Sequence, residues 1–276
     1  MKPKKVDSKK SLIDVAARAA KKAGAFLKNN VGKINEIKEK FGQDKNLVTE
    51  IDRASEDLII SYIRKQFPRS RFLAEESGET NPSECESSPL WIIDPLDGTT
   101  NYTHGFPVFC VSIGVMVKNH IVAGAIYDPN FDELFTAQKG RGAFLNGRRL
   151  KVSTIASVRK SLLVTGFPYN IVEDPHHAVE HFVDFLMKAQ AVRRMGSAAI
   201  DMAYVAAGRY EGFWEVNLHP WDVAAGGILV SEAGGRLSNF DGGEYDLFNR
   251  EIVASNSLVH DEMISILSHP TPIRRA

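Results

Sequence analysis

The chain predicts an α/β or α+β fold in which helices are layered on sheet. Three observations carry that expectation. Some segments repeat apolar residues at helical spacing, while others are short β-rich apolar runs. The two kinds alternate along the second half, which asks for helix packed on sheet. No internal repeat or linker divides the chain, so residues 1–276 read as one domain with a basic tail at 1–10.

Leu12, Ala16, Ala19, Ala20, Ala23 and Leu27 share one helical face, with Ser11 and Asp14 spaced as a capping box. The stretch GAFLKNNVG is expected to break that helix. TEIDRASEDLIISYIRKQFP predicts a second helix, its buried stripe Leu58, Ile59, Tyr62 and Ile63 and its stop Pro68. RFLAEESGE is a short strand running into acidic residues, and a polar loop over 79–89 leads to the strand LWIID. CVSIGVMVKNHIVAGAIYDP predicts a hairpin. Strand ELFTAQKG and the glycine-rich turn GRGAFLNGRRL follow. Next come strand SLLVTGFP, a helix opened by Pro175, strand AVRRMG and the helix SAAIDMAYVAAG, ended by Gly208. Strand EGFWEV, helix PWDVAAGGILVSEAGG, strand EIVASN and a final helix from about Val259 close the chain.

Charge narrows the partners. With 34 basic and 34 acidic residues the formal net charge is zero, so the whole-protein field offers no attraction to nucleic acid or acidic membranes. The tail MKPKKVDSKK holds five lysines and reads first as a solvated end, with docking to something acidic as the alternative. Cys110 lies in an apolar run and Cys85 in a polar loop, with no spacing that would hold zinc. No apolar run approaches the ~18 residues of a membrane span, and no signal-peptide core opens the chain. A reducing, cytoplasmic setting is the expectation.

Four acidic sites sit at element ends: Asp52 in a first helical turn, Glu75 and Glu76 at a strand end, Asp94 and Asp97 at another, and Asp222 opening a helix after Trp221. Taken singly, most have ordinary readings. Asp52 with Thr49 fits a capping box, Glu75 and Glu76 fit a solvated strand end, and Asp222 fits a charge on a helix dipole. The pair in WIIDPLDGTTNYTHG resists that treatment, because adjacent carboxylates repel unless a cation lies between them. Hard oxygen donors suit Mg²⁺, Mn²⁺ or Ca²⁺, and the twelve-residue calcium-loop pattern is absent. Mg²⁺ keeps waters and shares phosphate oxygens, which points to phosphate chemistry. Gly98 permits close backbone approach, and Thr99, Thr100 and Asn101 read as a short helix start whose free N–H groups suit phosphate.

DPLDGTTNY and WDVAAGGILVSEAGG resemble the two signatures of the inositol monophosphatase family, and LVTEID and AEESGE are similar to its two other acidic blocks, in the same order. The resemblance runs from the first helix to about residue 256. TGFP, RRMGSAAIDMAYVAAGRYEGFWE and PWD place it nearest the bacterial branch. It implies a layered αβαβα sandwich of the sugar-phosphatase type, a homodimer, and Mg²⁺-dependent hydrolysis of small phosphate monoesters with Li⁺ as inhibitor.

Carried over by position, the resemblance implies that Glu75, Asp94 and the Leu96 carbonyl hold one metal, and that Asp94, Asp97 and Asp222 hold a second. Asp52 would reach a weaker third through water and, with Thr99, activate the attacking water. Gly98 and Thr99 amides would take phosphate oxygens, and Glu215 and the Ala198 backbone substrate hydroxyls. Arg193 matches a position that contacts substrate in bacterial relatives, with a structural or inter-subunit salt bridge as the role for its neighbour Arg194, and the sequence does not separate the two. Lys45 is the candidate for the basic residue that members carry before LVT. His219 is the histidine nearest the proposed site, with a structural role expected. The substrate implied is myo-inositol monophosphate. Fructose 1,6-bisphosphate, 3′-phosphoadenosine 5′-phosphate and other sugar or nucleotide phosphates need the same metals and stay open. A regulatory RNA- or protein-binding role on the same fold is the reading from another class.

Overall fold

The computed structural model describes residues 11–34, 36–40, 43–80, 88–173 and 175–271, with only the backbone given at 39–40, 43–47 and 175. The basic tail 1–10, Cys85 and the Lys45 side chain lie outside the described residues. Five layers stack as helix, sheet, helix, sheet, helix. The outer pair α1 (Leu12–Asn30) and α2 (Glu50–Gln66) covers one face of an eight-stranded sheet. In spatial order that sheet contains β10 (Arg148–Arg149), β9 (Gly142–Leu145), β8 (Glu133–Gln138), β7 (His120–Asp128) and β6 (Cys110–Val117). It continues through β5 (Leu90–Asp97), β3 (Arg71–Ala74) and β4 (Gly78–Thr80). Among the described residues of this sheet only β3 and β5 pair in parallel.

The middle layer is α5 (Ala198–Ala206) and α6 (Pro220–Glu232), buried nearly all round between the two sheets. A helix covered on both sides carries no amphipathic stripe, which is why both segments read as continuous runs of Ala, Ile, Val and Gly. The second sheet runs β12 (Ala191–Arg193), β11 (Leu162–Thr165), β13 (Gly212–Val216), β15 (Glu251–Ser255) and β14 (Arg236–Ser238). Its far face packs on α4 (Ala178–Lys188) and α7 (His260–Leu267) through Phe185, Trp214, Val259 and Met263. Among the described residues no helix is long and apolar enough to cross a membrane.

Three local expectations are adjusted. GAFLKNNVG ends α1 only at its far end: the helix runs through Gly24 to Asn30 and stops before Gly32, at φ 75°. Gly24 is there for proximity, since a Cβ on it would lie 2.4 Å from Tyr127 Cδ1 of β7. Ser11 stands at the N-cap, yet its side chain makes no cap hydrogen bond. A two-stranded hairpin, β1 (Ile37–Lys40) with β2 (Gln43–Thr49), fills a stretch with no predicted element. Its polar sequence has no apolar alternation to signal a strand. The β6–β7 hairpin forms as expected, its turn made by Lys118 and Asn119, both at positive φ.

The placement of α6 rests on two glycines. Gly114 of β6 pairs with Gly124 of β7, and both face that helix. A Cβ on Gly114 would lie 2.6 Å from Ala224 Cβ, and one on Gly124 would lie 2.9 Å from Ala225 Cα. The missing side chains let α6 lie directly on the sheet, which sets the position of Asp222 in its first turn. Gly124→Val is therefore expected to push α6 off the sheet and cost about 1–3 kcal/mol. A melting temperature within a degree of the unaltered protein would contradict this packing account.

Candidate active site

The site is built around an irregularity in β5. In a regular strand, residues three apart point to opposite faces. Asp94 pairs with Ser112 and Asp97 with Cys110, so one extra residue is inserted between them. That bulge brings both carboxylates to the same cleft. Pro95, which has no N–H for the ladder, occupies the irregular stretch, where proline is tolerated. Two of the freed backbone groups are held by hydrogen bonds: Ser55 Oγ donates to the Pro95 carbonyl at 2.8 Å, and the Leu96 N–H donates to Asp94 Oδ1 at 3.0 Å. The Leu96 carbonyl lies 3.1 Å from Thr99 Oγ1. Gly98 then turns the chain at φ 95°, where a Cβ would lie 2.8 Å from the Val108 carbonyl, and α3 (Thr99–Thr103) begins.

The cleft encloses about 460 Å³. Glu75, at the end of β3, and Asp222, in the first turn of α6, meet Asp94 and Asp97 along it, with Glu215 from β13 and Asp201 from α5. Gly98, Thr100 and Ala198 also line it. Asp52, Leu96 and Thr99 lie just behind that wall and are joined to it by hydrogen bonds. Thr99 Oγ1 donates to Asp52 Oδ1 at 2.9 Å, while Asp52 Oδ2 accepts from the Thr49 amide at 2.9 Å and the Thr49 hydroxyl at 2.5 Å. Asp52 is thus both the capping-box residue and the partner of Thr99.

Each carboxylate is held by a different device. Asp97 Oδ2 accepts from Ser197 Oγ and from the Ala199 amide, both at 2.7 Å, which also caps α5. Asp222 Oδ2 accepts from the His219 amide at 2.7 Å, and the His219 ring stacks on Trp221 at 4.6 Å. Glu215 lies over Gly166, where any Cβ would collide with the carboxylate. Glu76, by contrast, is not among the residues lining the cleft, and its amide donates to Glu56 Oε2.

Crowding leaves an electrostatic mark. Burial first, then Glu75, Asp97 and Asp222, pushes the Asp94 carboxyl well above its ordinary 3.8. Burial and then Glu75 do the same to Asp222. Asp97 is raised by burial, against the lowering effect of its bonds to Ser197 and Ala199. Burial carries Glu215 to about 8 despite the opposing Arg194 charge. Cys110, buried with Sγ 3.8 Å from Asp97 Oδ2, is raised well above its usual value by burial and the Asp97 charge.

Four oxygen-donor carboxylates that destabilise one another as anions are the chemistry a hard divalent cation relieves. All four are hard oxygen donors lining one cleft, so the residues present fit a divalent metal.

One placement departs from expectation. Arg193, at the end of edge strand β12, is exposed, its Nη1 donating to the Val192 carbonyl, and does not line the cleft. Arg194 does. Neighbours along an extended chain face opposite ways, so only one of the two can face inward. Sequence reasoning missed Gly166, Tyr169, Ser197 and Asp201, all of which line the cleft. TGFP and RRMGSAAID contain or border all four, but nothing in their composition marked them as chemical.

A sequence profile of the inositol monophosphatase family matches residues 8–269. The chain is 43% identical over 256 residues to an inositol-1-monophosphatase of Synechocystis sp., covering 93% of this chain and 88% of that one. It is 40% identical over 263 residues to the Nus factor SuhB of Pseudomonas aeruginosa, covering 95% and 97%. The structure of the inositol monophosphatase from Anabaena (Nostoc) sp. superposes with a TM-score of 0.85 at 42% identity, covering 95% of this chain and 96% of that one.

The raised carboxyls give a pH signature. Folding makes these groups hold protons to higher pH than the unfolded chain does, so their contribution to stability is present below about pH 4 and lost as pH rises through the folded values, toward 8 for Glu215. A bound divalent cation would remove that loss, and it binds better as the ligands deprotonate. The rise in melting temperature on adding a divalent cation is therefore expected to grow from pH 4 to pH 8. Melts recorded with and without the cation check this, and an increment independent of pH would contradict it.

Proposed function

The chain belongs to the inositol monophosphatase family, and on that premise we propose that it hydrolyses a small phosphate monoester, foremost myo-inositol monophosphate, to inositol and inorganic phosphate. The observation that carries this reading is the β5 bulge. It turns Asp94 and Asp97 into one cleft with Glu75 and Asp222, beside the start of α3. The family is metal-dependent. Mg²⁺ is the ion proposed, with Mn²⁺ as a substitute and Li⁺ as an inhibitor. Glu75, Asp94 and the Leu96 carbonyl would hold one ion, Asp94, Asp97 and Asp222 a second, and Asp52 a weaker third through water. Bound there, the ions supply positive charge that eases deprotonation of water and offsets charge on the phosphate oxygens.

The chain's own groups do the rest. Thr99 Oγ1 points its proton at Asp52, which leaves its lone pairs open to take a proton from the attacking water. Asp52 is held for this by both Thr49 donors. Water attacks phosphorus in line, passing a proton toward Thr99 and Asp52; a P–O bond forms, the ester P–O bond opposite it breaks, and the departing polyol oxygen takes a proton from water to leave as the alcohol. The Gly98 and Thr99 amides take phosphate oxygens, and Glu215 with the Ala198 backbone takes polyol hydroxyls. A homodimer is the assembly proposed. Glu215, beside the small residues at Ala198, favours a polyol over the base of a nucleotide.

One relative is named as a Nus factor, which favours a second, regulatory role beside catalysis. Binding of RNA or protein that survives loss of Asp94 and weakens steeply with salt would support it.

Phosphate release from inositol, sugar and nucleotide phosphates, with and without Mg²⁺ and Li⁺, tests the main reading. Asp97→Asn is expected to lower turnover at least ~100-fold, the scale of one lost electrostatic stabiliser. A near-normal rate at saturating Mg²⁺ would overturn the ligand assignment. Glu215→Gln is expected to change the ranking of substrates, and an equal loss on every ester would remove Glu215 from substrate selection.

A further inference from the structure

The segment that follows β11 lines the same cleft as the carboxylates. Phe167, Pro168, Tyr169 and Asn170 all line the cavity. The segment is anchored on both sides of Tyr169. The Phe167 ring packs edge-on against Phe182 of α4 at 5.3 Å. Asn217 Nδ2 donates to Asn170 Oδ1 at 3.0 Å, which ties the segment to the chain two residues beyond Glu215. Tyr169 is therefore fixed relative to Glu215, itself seated over Gly166 at the start of the same segment.

The Tyr169 side chain shares the cleft with the acidic groups and feels their charge. Burial first, then Glu75, Asp222, Asp97 and Glu215, pushes its phenol above the ordinary value. Its hydroxyl stays protonated at any working pH and so remains a donor. It makes no hydrogen bond among the described residues, and the residue is 46% exposed. The acidic groups whose charge it feels are committed to metal or to substrate hydroxyls under the proposed function. The acceptor left for it is a substrate oxygen lying between the metal end and Glu215.

We propose that Tyr169 is a specificity-determining residue whose hydroxyl donates a hydrogen bond to an oxygen on the alcohol side of the scissile ester bond, completing with Glu215 a two-point reading of the polyol. This rests on the phosphatase reading above and adds a substrate contact to it. Inorganic phosphate has no alcohol side, so the contact separates ester from free phosphate.

Tyr169→Phe removes one oxygen and keeps the ring on its anchors. In the full-length Mg²⁺-loaded protein, KM for myo-inositol 1-phosphate is expected to rise about tenfold, the scale of one lost hydrogen bond. The melting temperature is expected to stay the same. So is the affinity for inorganic phosphate, measured by calorimetry and by competitive inhibition. An unchanged KM, or an equal weakening toward inorganic phosphate, would overturn the assignment. Failure of the unaltered protein to release phosphate from any ester would instead sink the phosphatase reading, and this inference with it.

Discussion

Everything in the site follows from mutual repulsion among buried carboxylates. Asp94, Asp97, Glu75 and Asp222 come from three separate elements, and each raises the cost of ionising another. A fold that gathers such a cluster must hold its groups in place by force. Here the force is backbone geometry. The bulge in β5 cannot be flattened into regular strand without sending Asp94 and Asp97 to opposite faces of the sheet, and the bonds from Ser55 and the Leu96 amide keep it in place.

The five-layer stacking supplies the rigidity. Glu75 and the Asp94–Asp97 pair belong to one sheet, Glu215 to the other, and Asp222 and Asp201 to the helices between them. The cleft is therefore a seam between layers, and its shape depends on how closely they approach. Glycine sets that distance at several points: Gly114 and Gly124 under α6, Gly166 under Glu215, and Gly98 against Val108. Charge that opposes folding is concentrated at this seam, while three apolar clusters elsewhere provide the stabilisation that tolerates it.

Hydrogen bonds with two duties are a recurring economy of the site. Asp52 caps α2 and orients Thr99, Asp97 caps α5 and faces the cleft, and Asp222 closes on His219 while it faces the other acids. The ordinary reading of Asp52 as a capping residue and its functional reading are therefore both correct. A carboxylate has two oxygens, and the structure gives one to the fold and leaves the other toward the chemistry.

Much of this was legible in the linear chain. The alternation of helix and strand, the hairpin at Lys118–Asn119, the helix start at Thr99 and the identity of the acidic residues all follow from local pattern, because propensity, turn chemistry and donor type are properties of short segments. The end of α1 and the β1–β2 hairpin were not legible for the same reason: a glycine needed for close approach looks locally like a break, and a polar hairpin has no alternation to display. What only the tertiary structure decided is relative position. It determined that Arg194 and not Arg193 lines the cleft, that Asp52 reaches Thr99 across 47 positions, and that Tyr169 lines the same cleft as Glu75 and Asp222. Those outcomes depend on strand register and on the spacing between layers, which are set by contacts between segments far apart in the chain and have no local signature.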